Sequence, residues 1–252
     1  MITSIEFKAR LKYLTESIFK DDLYDSYYHY TKTDYLEEIF KTNNIFVSNK
    51  NCMNDQYEVD YPKNLLLTEL KNFDDEEAIR FIDYFNEIWR NEKLYSFSIS
   101  SNDNCSYLIE NYGKSIIKID SKKLKLANIK NYGKPSWRFG KVIYKLSEQK
   151  KYLNVLLGLY FDIEKVQIER DSDIEYEELE NIQYELVNHI SVALDLFKEE
   201  NEYSKEEETR IIFYFEGNSD KAEYSRFINN KEKKYIIIEN IDNFAQLYKT
   251  CT

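Results

Sequence analysis

The spacing of apolar and polar positions changes period several times along this chain, and each change marks an element. Leu94-Tyr-Ser-Phe-Ser-Ile-Ser100 alternates with period two, so an extended chain puts Ser96, Ser98 and Ser100 on one face. Tyr27–Thr31, Ile45–Ser48, Lys114–Ile119, Lys141–Leu146, Glu207–Phe215 and Tyr235–Ile238 read as further short strands, rich in β-branched and aromatic residues. Leu179, Ile182, Leu186, Ile190, Ala193 and Phe197 recur at three and four, the spacing of one helical face. Ile5, Leu11, Leu14, Ile18 and Phe19 do so more loosely. Further helices are expected near residues 63–72, 75–89, 105–112 and 147–162. Thr33-Asp34 should cap a helix that turns Tyr35, Leu36, Ile39 and Phe40 inward, and Asn49 to Tyr61 reads as a polar loop closed by Pro62. Short strands with helices mostly between them, no repeat and no linker predict one α+β domain over residues 1–252. Its N-terminal helical stretch covers 1–26, and helical insertions cover 63–92 and 147–200.

The candidate chemistry starts at Tyr203-Ser-Lys-Glu-Glu-Glu-Thr-Arg210, which runs into the apolar strand Ile211–Phe215. If extended, this stretch brings the side chains of Glu206, Glu208 and Arg210 to one face, two exposed carboxylates and a guanidinium at a strand end. A solvated charge run preceding a strand fits the same residues, as does a salt bridge from Arg210 that supports the loop. His29 and Thr31 share a face of their aromatic strand, while His189 sits at the edge of an apolar helical stripe and reads as structural. Asn54 and Asp55 fit either an Asx turn or a loop that grips a ligand.

Charge changes the picture of partners. The net charge is −11, yet residues 114–151 carry twelve basic residues against Asp120 and Glu148, a local +10 that leaves −21 for the rest. Tyr132, Trp137, Phe139 and Tyr144 interleave with those bases, a combination suited to a phosphate-bearing ligand or a nucleic-acid strand. Lysines on solvated faces explain it equally well. Five scattered glycines form no phosphate loop or dinucleotide fingerprint, and two histidines with no clustered cysteines argue against a zinc site. Cys52, Cys105 and Cys251 make no framework, and neither a signal-peptide stretch nor a membrane span is visible, so a cytoplasmic protein with reduced thiols is expected.

Taken in order, His29-Tyr-Thr31, Met53-Asn-Asp-Gln-Tyr-Glu58, Tyr95-Ser-Phe-Ser98, Leu108-Ile-Glu-Asn-Tyr-Gly113 and Tyr203-x-x-Glu206-x-Glu208-x-Arg210 resemble a bacterial family of unknown function, domain-of-unknown-function family 2971, from about Tyr28 to Phe215. The chain departs from that pattern at Ile109 and Tyr203, where the family usually has Trp, and at Gln56, where it has Pro. The motif order also resembles the ADP-ribosyltransferase fold, mixed small sheets with helical insertions. That resemblance implies NAD as substrate, with His29, Tyr30 and Thr31 on the adenosine-side ribose or diphosphate and Ser96 and Ser98 lining the nicotinamide site. It implies Glu208 as the catalytic acid and Glu206 as the residue that orients the acceptor. Asn54, Asp55 and Arg210 are candidates for further binding residues, and no metal ligands are singled out, although the many carboxylates leave a divalent ion open. The activity expected is NAD-dependent ADP-ribosyl transfer to a nucleic acid or protein, or NAD hydrolysis, in a toxin or phage-defence effector. Two other readings stay open: a non-catalytic nucleotide- or nucleic-acid-binding sensor, and a partner-binding protein whose acidic surface neutralises a basic toxin.

Overall fold

The computed structural model describes residues 4–20, 24–52, 57–91, 94–133, 136–169, 176–215, 222–228 and 230–250. In chain order the elements are α1 (Ser4–Ile18), β1 (Phe19–Lys20), β2 (Ser26–Thr31), α2 (Thr33–Thr42), β3 (Asn44–Asn49), α3 (Tyr57–Leu70), α4 (Asp75–Asn91), β4 (Leu94–Ser100), α5 (Ser106–Tyr112), β5 (Ser115–Asp120) and α6 (Ser121–Leu124), followed by β6 (Ser136–Lys141), α7 (Leu146–Glu169), α8 (Tyr176–Leu194), β7 (Glu208–Tyr214), β8 (Tyr224–Ile228), β9 (Lys231–Glu239) and β10 (Ala245–Thr250). Short 3-10 turns lie at Lys50–Cys52, Glu202–Glu206 and Ile241–Asn243. Helices and an antiparallel sheet together make an α+β protein, the class expected from the sequence.

The chain forms two compact units, one of Met1–Phe19, Tyr57–Glu92 and Ile143–Glu199, the other of Lys20–Gln56, Lys93–Val142 and Glu200–Thr252. Apart from Phe19 of β1, the described elements of the first are helices. On α8, Leu179, Ile182, Leu186, Ile190 and Ala193 are all buried, as their spacing demands, and α4 contributes a ladder of Phe81, Phe85 and Trp89 with centroids 5.8 and 5.1 Å apart. His189 is held within this unit by Tyr152 Oη at 2.7 Å and Thr15 Oγ1 at 3.3 Å. The polar loop expected to run to Pro62 is shorter than that: α3 begins at Tyr57 and carries Pro62 inside it. The proline forgoes one N–H near the helix start, a loss partly offset by burying its ring.

The second unit is a curled antiparallel sheet organised around β4. Along its whole length β4 pairs with β7, from Leu94↔Tyr214 to Ser100↔Glu208, and β6 adds to the far side of β7. Its other edge is shared. The N-terminal half pairs with β3 (Ser96↔Ser48, Asn49↔Tyr95) and the last residue with β2 (Tyr28↔Ser100), so the sheet forks beside Phe97 and Ser98. One branch continues β2-β5-β10; the other continues β3-β9-β8.

Register sorts the side chains into two faces. Tyr27, Tyr95, Phe97, Ile99, Ile117, Ile119, Phe139, Ile211 and Phe213 point to one side and form the core of the unit with Val47, Ile236, Ile238 and Leu36 of α2. In α2, Leu36, Ile39 and Phe40 face that core, but Tyr35 is exposed and Lys32, not Thr33, occupies the cap position. The opposite face carries the serines of β4, and α5 covers part of it through Tyr30, Cys105, Leu108 and Ile116. The strand expected over Lys141–Leu146 in fact ends at Lys141. The Val142 N–H is the last to reach β7, at the Glu208 carbonyl, and α7 starts at Leu146.

Candidate active site

The polar face of β4 gathers the serine and glutamate candidates. Ser98 stands opposite Arg210, and Ser100 opposite Glu208, so all four side chains share that face. Ser98 Oγ donates to Glu208 Oε1 at 2.5 Å, and Arg210 Nε donates to the same oxygen at 2.8 Å. Glu208 is 5% exposed and Arg210 2%, whereas Ser98 is exposed. The exposed strand-end carboxylate expected from the sequence is therefore a buried one, reached through an exposed hydroxyl. An ion pair this deep needs its charge-assisted hydrogen bonds, because removing either partner strands a charge away from water.

Glu206 does not share the strand face. It ends the 3-10 turn Glu202–Glu206, and Glu207 turns the chain through a left-handed conformation (φ 48°) before β7 begins at Glu208. That twist breaks the two-residue alternation on which the Glu206, Glu208, Arg210 row was expected. Glu206 is 2% exposed; Tyr112 Oη of α5 donates to its Oε1 at 2.9 Å, and its carbonyl accepts from Ser100 Oγ at 3.3 Å. Tyr112 is exposed. Sequence reasoning did not single it out, though its place one residue before the Gly113 that ends α5 was a usable signal.

Gly113 positions that tyrosine. Its φ of +134° suits glycine alone, and a Cβ there would collide with the backbone of Thr31 at the end of β2. Because the glycine lets α5 close down on β2, Tyr112 comes to Glu206. Tyr30 completes the same seam: its hydroxyl donates to the Asn102 carbonyl at 2.6 Å and accepts from the Cys105 N–H at 3.0 Å. Cys105 Sγ donates to the Lys205 carbonyl at 3.2 Å, tying α5 to the turn that carries Glu206.

The structure separates His29 and Thr31 from the serine and glutamate side chains. Both lie on the core face, in the row of Tyr27, and the His29 ring leans against Phe97 with centroids 4.6 Å apart. His29 nevertheless reaches the fork, donating from Nδ1 to the Ser98 carbonyl at 3.0 Å. Because a carbonyl only accepts, this bond fixes the tautomer with its proton on Nδ1. Desolvation pushes the imidazole below its ordinary pKa, opposed by the bond to Ser98. Thr31 is buried beside Gly113.

Ser96 shares the polar face, is 5% exposed, and its hydroxyl has no hydrogen-bond partner among the described residues. An orphaned buried hydroxyl costs about 1–3 kcal/mol, which a ligand could recover. Asn54 and Asp55 lie outside the described residues. Among the described residues no group of three His, Cys, Asp or Glu side chains is placed to hold a metal, and no helix is long and apolar enough to cross a membrane.

The basic segment 114–151 is divided between the two units. Within the sheet unit, Lys122 pairs with Asp25 at 2.9 Å, Lys125 lies over Phe139, Lys118 over Tyr248 and Lys130 over Tyr224. The last of these sits on β8, a strand the sequence pattern did not predict.

Comparison of the chain with protein-family models, with curated proteins and with solved structures finds no match.

Proposed function

We propose that this protein cleaves the nicotinamide–ribose bond of NAD and passes the ADP-ribosyl group to a macromolecular acceptor or to water, on a fold of the ADP-ribosyltransferase kind and in kinship with the family it resembles. One observation carries the reading: a buried carboxylate, Glu208, bonded by the exposed hydroxyl of Ser98 at the fork of the sheet. The N-glycosidic bond breaks with its electron pair leaving on the nicotinamide ring nitrogen. A bond then forms from the ribose carbon to the acceptor oxygen or nitrogen, whose proton passes to water. Positive charge develops on the ribose between these events, and a carboxylate paired with Arg210 in a site of low dielectric stabilises it more strongly than one in water.

The remaining residues take supporting roles in this account. Ser96 and Ser98 would receive the nicotinamide side, and the orphaned Ser96 hydroxyl is the feature that fits a polar group there. Glu206, fixed by Tyr112, would orient the acceptor. His29 acts on Ser98 by holding its carbonyl, a positioning role in place of the ribose contact that the resemblance implies. Tyr30, with its hydroxyl committed to Asn102 and Cys105, braces α5.

The test is incubation of purified protein with NAD labelled separately on the nicotinamide and the adenosine side, with and without bacterial lysate. Free nicotinamide should accumulate, with adenosine-side label on either a macromolecule or free ADP-ribose. A protein that binds NAD or nucleic acid yet releases no nicotinamide in either arm would instead be the non-catalytic sensor.

A further inference from the structure

The branch β3-β9-β8 carries an aromatic and cationic platform that the NAD reading does not use. Register places Tyr224 opposite Tyr235 and Tyr235 opposite Ser48, a row that continues to Ser96, so the platform lies on the same face of the sheet as Ser98 and Glu208. The rings of Tyr224 and Tyr235 stack with centroids 5.9 Å apart, and Phe46 meets Tyr235 edge-on at 5.3 Å. Arg226, two residues along from Tyr224 and exposed, lies 5.4 Å from the centre of Tyr235 and 5.6 Å from that of Phe46.

The charge on this face is one-sided. Among the described residues no carboxylate forms an ion pair with Arg226, whose guanidinium therefore keeps its N–H donors for an outside acceptor while resting on rings. Lys231 and Lys233 fall on the same face by register, and Lys130 extends over Tyr224. Glu232 points to the other side of the β8–β9 hairpin, and Glu239 stands at the far end of β9. Planar groups interleaved with cations on an open strand face match a chain of stackable bases joined by phosphates. An acidic peptide would satisfy the charges but leave the stacked planes unused. Ser48, exposed beside Tyr235, adds a hydroxyl that can give and accept a hydrogen bond next to a stacked nucleotide, the chemistry that recognises a ribose 2′-hydroxyl.

We infer that this face of β3, β9 and β8 binds single-stranded RNA, with bases stacked on Tyr224, Tyr235 and the outer plane of Arg226 and phosphates on Lys231 and Lys130. The inference stands on the platform alone and does not require Glu208 to be catalytic.

Fluorescence anisotropy on the full chain tests it, with a labelled single-stranded RNA of about twelve nucleotides, the same sequence as DNA, its duplex, and a poly-glutamate peptide. Saturable RNA binding is expected, falling as salt rises from about 50 to 200 mM. Arg226→Glu and Lys231→Glu, both at exposed positions, should each weaken it by about tenfold or more while leaving the melting temperature unchanged. Ser48→Ala should narrow the gap between RNA and DNA. Absence of RNA binding, binding unmoved by both reversals, or equal affinity for DNA, duplex or poly-glutamate would overturn the assignment.

Discussion

Arg210 and Arg226 lie on the same face of one sheet in opposite environments. Arg210 is 2% exposed and committed to Glu208 at 2.8 Å; Arg226 is exposed and rests on Tyr235 and Phe46. Burial decides what each can do. Inside the unit a guanidinium is tolerated only with its carboxylate, so Arg210 pairs with Glu208 and fixes its orientation. At the surface the same group costs little to leave without an acid, and its plane and donors stay available to a ligand.

Removing each charge in turn breaks the comparison most sharply. Arg210→Met should destabilise the protein by about 3–5 kcal/mol in urea unfolding, because Glu208 is left as a buried charge without its guanidinium. Gly113→Ala should come next, at about 3 kcal/mol, since it sets a Cβ against the Thr31 backbone at a positive φ. Tyr112→Phe takes one donor from buried Glu206 and should cost about 1–2 kcal/mol. Arg226→Ala should move stability by no more than about 0.5 kcal/mol, the ordinary effect of a surface change. A loss as large as that of Arg210→Met would erase the distinction between the two arginines.

A subtler effect comes from His29, whose pKa is depressed in the fold by desolvation. The unfolded chain then binds the proton more readily, so stability is full above the ordinary imidazole value of about 6.5 and declines as pH falls through it. His29→Gln should flatten that part of the stability–pH curve. An unchanged slope would mean that the ring is solvated at the fork.

The parts of this fold legible in the sequence are those where one face is wholly apolar. The alternation of β4, the run of β7 and the stripe of α8 stand out because register or helical phase gathers Tyr95, Phe97 and Ile99, Ile211 and Phe213, and Leu179, Ile182, Leu186, Ile190 and Ala193 each on a buried side. β8 escaped because it pairs only with β9 among the described residues and keeps Ser225, Arg226 and Phe227 exposed, so no apolar rhythm survives. Val142 and Ile143 mimic a continuing strand, but pairing with β7 runs out at Val142.

The candidate site was half legible for a similar reason. Ser98, Glu208 and Arg210 follow from strand alternation. Glu206 does not, because the left-handed turn at Glu207 uses a residue type that gives no warning of it. Placing His29 on the core face required knowing that Tyr28, and not His29, stands opposite Ser100. The basic segment scattered because consecutive lysines fell on different faces and partners, while the platform drew Tyr224, Arg226 and Tyr235 from a stretch with no marked excess of charge.

The most direct measurement is the rate of nicotinamide release from NAD by the unmodified protein and by Glu208→Gln, each accompanied by a melting curve. Glutamine keeps the shape and can still accept from Ser98 and Arg210, so the variant should remain folded with a lowered melting temperature while release falls by about a hundredfold or more. Release by the unmodified protein that persists undiminished in a folded Glu208→Gln variant would contradict the account and leave the Ser98–Glu208–Arg210 cluster as a structural brace.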